Sequence, residues 1–262
     1  LAASVSARYL FGNPMARRPV RWRVEKSIYL GAPEAIRSAD AWKDFSFGYY
    51  PPTRRLPDQP ASTNATLDPS GTLTVAVPTD TRTDLAYTYT FSGEVEDVTR
   101  QRIAGSSAVN VYPAPFLIGL RLPDYFAKTS TGATIDVAAV DLAGRARAGV
   151  TVTLTLNRVQ WNSVRRAEGS GFYEWDTERV DVPSGEWTVI TGAAPIAQAI
   201  PLSEGGYYEL TARATDADGH TTRTDTSFYG TGEGYTAWQR YDHNRIELKP
   251  ERATWKPGET AK

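Results

Sequence analysis

The chain has 262 residues, too many for one β-sandwich of about 100 and comfortable for two, and its 40% apolar fraction with 7 Trp, 14 Tyr and 8 Phe can fill two cores. Lys plus Arg total 29 against 30 Asp plus Glu, so nothing in the charge favours nucleic acid, and no stretch approaches the roughly 18 apolar residues of a membrane span. Zero cysteines exclude disulfides, zinc-thiolate sites and Cys nucleophiles together.

Leu1-Ala2-Ala3-Ser4-Val5 has no initiator Met, charged n-region or apolar h-region and reads as the middle of a strand, so a cut N-terminus is expected. Ala3, Val5, Ala7 and Tyr9 alternate with Ser4, Ser6 and Arg8, and Val20, Trp22 and Val24 alternate with Arg21 and Arg23. That period predicts strands with one face in a core, with Trp22 and Val24 buried. Over Pro33 to Phe45, Ile36, Ala39, Trp42 and Phe45 could share a helix face, but the caps are weak and Gly48-Tyr49-Tyr50-Pro51-Pro52 follows, which predicts a long loop with a turn or two of helix. Alternation returns at Leu73/Val75/Val77, Leu85/Tyr87/Tyr89/Phe91, Ile135/Val137/Ala139, Val150/Val152/Leu154/Leu156 and Tyr208/Leu210/Ala212. Val152 and Leu154 are expected in a second core. Asp68-Pro69-Ser70-Gly71, Pro183-Ser184-Gly185 and Asp218-Gly219 read as the intervening turns. The fold class is all-β: tandem antiparallel β-sandwiches of fibronectin III or immunoglobulin-like type.

The chain also repeats itself at an offset of about 130 residues, since Tyr9-Leu10-Phe11-Gly12 before the Val20 strand returns as Asp141-Leu142-Ala143-Gly144 before Val150. Val95-Glu96-Asp97-Val98-Thr99-Arg100 corresponds to Thr215-Asp216-Ala217-Asp218-Gly219-His220, and Ile246 to Pro250 echoes Ile118 to Leu122 as the start of a third copy. The expected domains are 1-112, lacking a counterpart of the Phe116 to Leu122 strand, then 113-242, then 243-262 as the first strand of a following domain. Tyr112-Pro113-Ala114-Pro115 is a stiff linker between the first two. Unpaired edges invite pairing, so the Arg245 to Pro250 tail is a candidate to dock on a sheet edge. Trp255-Lys256-Pro257-Gly258 is a turn before a run that stops at Lys262, again as if cut.

No residue is nominated as catalytic, cofactor-binding or metal-binding. His220 and His243 are the chain's two histidines. Asp216-Ala217-Asp218-Gly219 lacks the glycine position and the twelfth-position glutamate of an EF-hand and reads as a hairpin turn. Gly230-Thr231-Gly232-Glu233-Gly234 has no helix after it to hold an anion and carries Glu233, so it reads as an interdomain loop. Gly169-Ser170-Gly171 lacks nucleophile-elbow spacing. Trp238 to His243 could be a contact surface, although packing of Tyr235 and Trp238 between consecutive domains is favoured. Asn64-Ala65-Thr66 matches a glycosylation sequon relevant only to a eukaryotic secretory protein.

Three stretches carry a family resemblance: Phe228 to Trp238 with Arg245-Ile246-Glu247-Leu248 and Trp255 to Lys262; Val95 to Gly105; and Ala7 to Pro14. They resemble the macroglobulin domains of bacterial alpha-2-macroglobulins and their junction into the bait-region domain. The resemblance implies a very large periplasmic protein, with lipoprotein anchoring through the parent's N-terminus left open, that traps proteases after bait cleavage and bonds them through a Cys-Gln thioester. With no cysteine, this chain cannot hold the thioester, and the bait would lie beyond Lys262. Its expected role is a non-enzymatic scaffold without cofactors. Its expected partners are neighbouring macroglobulin domains and, through the parent, target proteases, with neither nucleic acid nor direct membrane insertion. The rival reading is an immunoglobulin-like repeat of a cell-surface adhesin, and a third is an accessory domain of a glycan-active enzyme.

Overall fold

Strands dominate wherever apolar residues alternate with polar ones, because that period suits a pleated backbone with one dry face. The computed structural model describes residues 1–49, 61–79, 82–167 and 173–232. In chain order they form β1 (Ala2–Ser6), β2 (Pro19–Tyr29), α1 (Glu34–Arg37), a 3₁₀ turn (Asp40–Trp42), β3 (Ser46–Phe47), β4 (Ala61–Thr66), β5 (Thr72–Ala76), β6 (Ala86–Glu96) and β7 (Arg102–Val111). There follow β8 (Phe116–Arg121), β9 (Phe126–Lys128), β10 (Ala133–Asp141), β11 (Thr151–Ala167), β12 (Tyr173–Ile190), β13 (Ile196–Ile200), β14 (Gly206–Thr215) and β15 (Thr221–Thr231).

Two β-sandwiches result. The first pairs β1-β5 against a sheet of order β4-β2-β6-β7, and the second pairs β13-β10-β8-β3 against β12-β11-β14-β15-β9. Among the described residues every ladder is antiparallel except the short one between β15 and β9.

The second core is closed from solvent by both sheets. Phe116, Ile118 and Leu120 from one sheet meet Val152, Leu154, Leu156, Tyr208, Leu210 and Phe228 from the other. Truncating Leu154, which is fully buried, would cost about 2–5 kcal/mol. Val152 and Leu154 thus lie where the alternation predicts. In the first sandwich Val24 is buried, but Trp22 is only half-buried, against expectation, and Val5, Ala7 and Leu73 are likewise half-covered. The reason is architectural: the sheet opposite carries two strands where the second sandwich has β8 between β10 and β3.

Four-residue hairpin loops recur through both sandwiches. The N–H of Asp68, Asp97, Asp141 and Asp216 each bonds the carbonyl four residues on, at 2.8–2.9 Å. The fourth residue of each loop takes positive φ: Gly71 at 78°, Arg100 at 67°, Gly144 at 84° and Gly219 at 85°. This places Asp97 opposite Asp216 and Arg100 opposite Gly219, one residue away from the correspondence that matching Val95 to Thr215 gives. Pro183-Ser184-Gly185 is also not a turn: it lies within β12 as a bulge, with Asn157 facing Pro183 and Leu156 facing Gly185. The extra residue lies on β12, while β11 keeps an unbroken register with β14 from Thr153 to Val159.

Candidate functional surfaces

The segment between β2 and β4 crosses from the first sandwich to the second. Among its described residues it is mostly loop, as expected, with α1 and the 3₁₀ turn as the helical pieces. Its apolar side chains have a definite destination. Ala32, Ile36, Trp42 and Phe45 form a buried cluster with Leu117, Ala138 and Val140, which point outward from β8 and β10. Trp42 stands edge-on to Phe45, and its Nε1–H donates to the Gly144 carbonyl at 2.8 Å.

Glycines set the fit. A Cβ on Gly144 would lie 2.6 Å from the Ala35 carbonyl oxygen, and one on Gly119 would lie 2.9 Å from the Phe47 ring. β3 then extends the second sandwich's sheet by pairing Ser46 with Leu120 and Phe47 with Gly119. The buried Thr224 hydroxyl locks this edge: it donates to the Ile118 carbonyl at 2.6 Å and accepts from Gly48 N–H at 3.0 Å.

Polar contacts continue the junction. Tyr49 donates to Asp84 at 2.9 Å, Arg213 reaches the other Asp84 oxygen at 3.1 Å, and the Arg223 guanidinium lies 4.1 Å from the Tyr49 ring centre. Desolvation, then the Asp84 hydrogen bond, push the Tyr49 hydroxyl up to about 12. It therefore stays a donor at any physiological pH.

A signal for this junction exists in the sequence. Phe116-Leu117-Ile118-Gly119-Leu120 and Val137-Ala138-Ala139-Val140 are continuous apolar runs rather than alternating ones, the mark of strands covered on both faces. β8 and β10 are so covered, by their own core inside and by the crossing segment outside.

The chemistry-bearing motifs do not converge. Among the described residues one group could ligate a metal, Asp216, Asp218 and His220, with one ligand atom each within 4.8 Å of the others. All three belong to one hairpin loop, and Asp216 already accepts from the backbone N–H of Asp218 at 3.0 Å and of His220 at 2.8 Å. Burial pushes its carboxyl up, but the His220 ring and these N–H groups hold it below the usual range. Asp68, Asp97 and Asp141 accept from their own loops in the same way, so loop geometry accounts for Asp216 without an ion. Asn64 is exposed on β4. Gly230 ends in β15, where a Cβ would press 2.9 Å from the Tyr208 ring. Gly169-Ser170-Gly171, Glu233, Gly234, Tyr235, Trp238 to His243 and the Arg245 to Pro250 tail lie outside the described residues.

Comparison with known proteins now bears on these surfaces. The family described as bacterial macroglobulin domain 6 matches residues 119–230. The alpha-2-macroglobulin homolog of Nostoc sp. is 26% identical over 98% of the chain, and the alpha-2-macroglobulin of Rickettsia conorii is 24% identical over 74%. The chain spans only 13% and 10% of those proteins' lengths. Among solved structures, native Escherichia coli alpha-2-macroglobulin aligns with all of the chain at a TM-score of 0.62 and 18% identity, the chain covering 17% of it. The Salmonella protein reacted with methylamine aligns with 99% at the same TM-score and identity, again with 17% of its length covered. The tandem sandwiches thus share the fold of bacterial alpha-2-macroglobulins, and residues 119–230 match the bacterial macroglobulin domain 6 family.

Proposed function

We propose that the chain is a non-catalytic scaffold segment of a broad-spectrum, protease-trapping alpha-2-macroglobulin in the periplasm, divided as 1-112, 113-242 and 243-262, the last entering a bait-region domain. The observation that carries this reading is the buried junction of Ile36, Trp42 and Phe45 on Leu117 and Val140, which joins two sandwiches into one mechanical unit. A trap released by bait cleavage has to pass a local cut on to distant domains, and joined sandwiches do that where free beads on a string would not. Elastase- and trypsin-activated forms of the Escherichia coli relative support proteases as the partners of the whole protein. An adhesin repeat would share the fold class, but the family match favours the inhibitor.

The test compares the 262-residue chain with the full-length protein that contains it. The full-length protein should protect large protein substrates from trypsin while leaving small peptide substrates accessible. The 262-residue chain alone should leave both activities unchanged. Stoichiometric inhibition by the chain alone would instead indicate a direct blocker built on its loops.

A further inference from the structure

The segment that crosses from the first sandwich to the second has a counterpart in the second sandwich. Arg17 and Gly149, both at positive φ, lie just ahead of the equivalent strands β2 and β11, as Arg100 and Gly219 do for β7 and β15. On that alignment the row of Ser27, Thr88 and Asn110 across β2, β6 and β7 matches the row of Val159, Tyr207 and Tyr229 across β11, β14 and β15. Past its row the first sandwich sends out two segments. β2 ends at Tyr29 and gives way to the crossing segment of Ile36, Trp42 and Phe45, while β7 ends at Val111 and leads into the sandwich that this segment covers. Both strands are antiparallel to β6, so the covering segment and the onward chain leave from the same end.

β11 and β15 are likewise both antiparallel to β14. Among the described residues β14 pairs with β11 no further than Val159, yet β11 continues to Ala167 and pairs there with Tyr173 of β12. At about 3.3 Å per residue this two-stranded arm projects about 25 Å, from the end at which β15 finishes at Thr231. Arg179 ties its root to the sheet, donating to Asp181 at 2.8 Å and to Glu209 at 3.0 Å, with its guanidinium 6.0 Å from the Trp161 ring centre. Trp161 stands where the first sandwich has Tyr29, which meets Tyr112 edge-on at 6.0 Å beside the linker. Close to the root, the outer face of the sheet carries a cluster in which the Tyr229 ring lies 5.1 Å from Tyr207, 5.5 Å from Tyr125 and 5.9 Å from Phe126. Tyr125 is 51% and Phe126 63% exposed. Outer sheet faces are ordinarily polar, and a contiguous exposed aromatic patch marks a contact surface.

We infer that the arm and this aromatic patch form the seat of the domain that follows in the same polypeptide, the arm holding that domain as the crossing segment holds the second sandwich. The inference rests on the reading of 243-262 as the start of such a domain. The first sandwich identifies the occupant, because there the element in the arm's position covers the next domain along the chain. Connection through a short stretch of chain keeps that domain at roughly millimolar local concentration, so modest contacts suffice. The aromatic rings and Arg179 are the residue types that carry such contacts.

Amide hydrogen exchange, measured on the full-length protein and on the 262-residue chain, is the test. The amides of 125–128, 160–167 and 173–180 should exchange at least tenfold more slowly in the full-length protein, where the seat is filled. Two variants of the full-length protein probe the seat from its two sides. One is Phe126→Asp, at an exposed position, and the other replaces residues 162–178 by Asn-Gly, so that the facing pair Trp161 and Arg179 closes the hairpin. Each should speed exchange of 243–262 at least tenfold while β8 and β10 keep their unaltered rates. The inference is overturned if the arm and 125–128 exchange alike in the two proteins, or if either variant leaves 243–262 unchanged. Protection that fades on dilution of the full-length protein would also overturn it, by making a second copy the occupant. Unprotected amides at 243–262 in the unaltered full-length protein would sink the domain division and the seat together, whereas a protected 243–262 beside an unprotected arm sinks the seat alone. Protease trapping enters none of these readouts, so it can fail separately.

Discussion

The indole of Trp42 bonds the carbonyl of Gly144, 2.8 Å away in space and 102 residues away in sequence. Trp42 keeps 7% of its surface exposed and sits against Phe45, so its contribution combines packing with one satisfied donor.

Trp42→Ala should therefore cost about 3 kcal/mol, at the lower end for loss of a large aromatic side chain, because the segment around it can partly collapse. The two sandwiches should uncouple. Calorimetry is expected to resolve two transitions, the second sandwich keeping its own midpoint because Phe116, Leu154 and Phe228 do not touch Trp42's cluster. A single transition lowered as a whole would show that the junction does not link the units in this way.

Gly144 and Gly12 provide a matched pair. Both hold positive φ, 84° and 91°, but a Cβ on Gly12 meets nothing within 4 Å while one on Gly144 meets the Ala35 carbonyl at 2.6 Å. Gly12→Ala should cost only the backbone penalty of about 1 kcal/mol. Gly144→Ala should cost more and should raise exchange rates of the α1 amides. Equal losses in urea titrations would count against the close approach.

Arg17 and Arg100 are the non-glycine residues at positive φ among the described residues, 56° and 67°, and their counterparts in the second sandwich are Gly149 and Gly219. Arg100→Gly should stabilise the β6-β7 hairpin by about 0.5–1 kcal/mol, the relief of left-handed strain outweighing the added freedom of the unfolded chain. Arg17→Gly should act in the same direction. A lowered unfolding midpoint for Arg100→Gly would refute this.

Acid should loosen the hairpin loops together. The Ser70 side chain and nearby N–H groups hold the Asp68 carboxyl below its ordinary 3.8, the Thr99 side chain does so for Asp97, and the Arg145 N–H and guanidinium do so for Asp141. A carboxyl depressed in the folded state gives stability that is full above its unfolded value and is lost as pH falls through the folded one. Stability should thus be flat from pH 7 to about 5 and decline below about 4. Replacing Asp68, Asp97 and Asp141 by Asn should flatten that decline in chemical denaturation at pH 3 against pH 6. An unchanged slope would assign acid sensitivity to other groups.

The residues alone determined the strands, the Asp-Pro-Ser-Gly and Asp-Gly turns and the internal repeat, because alternation and turn chemistry are local properties written within a few residues. They also carried the family resemblance, which the match at residues 119–230 supports. Three features needed the tertiary structure. The half-burial of Trp22 depends on how many strands stand opposite it, and the bulge at Pro183-Ser184-Gly185 depends on pairing with Leu156 and Asn157. The docking of Ile36, Trp42 and Phe45 depends on the outer faces of β8 and β10. Periodicity over Pro33 to Phe45 is too short to declare a helix, and it says nothing of which distant surface will cover those side chains. Only the meeting of Trp42 with Gly144 turns an irregular loop into the joint between two sandwiches.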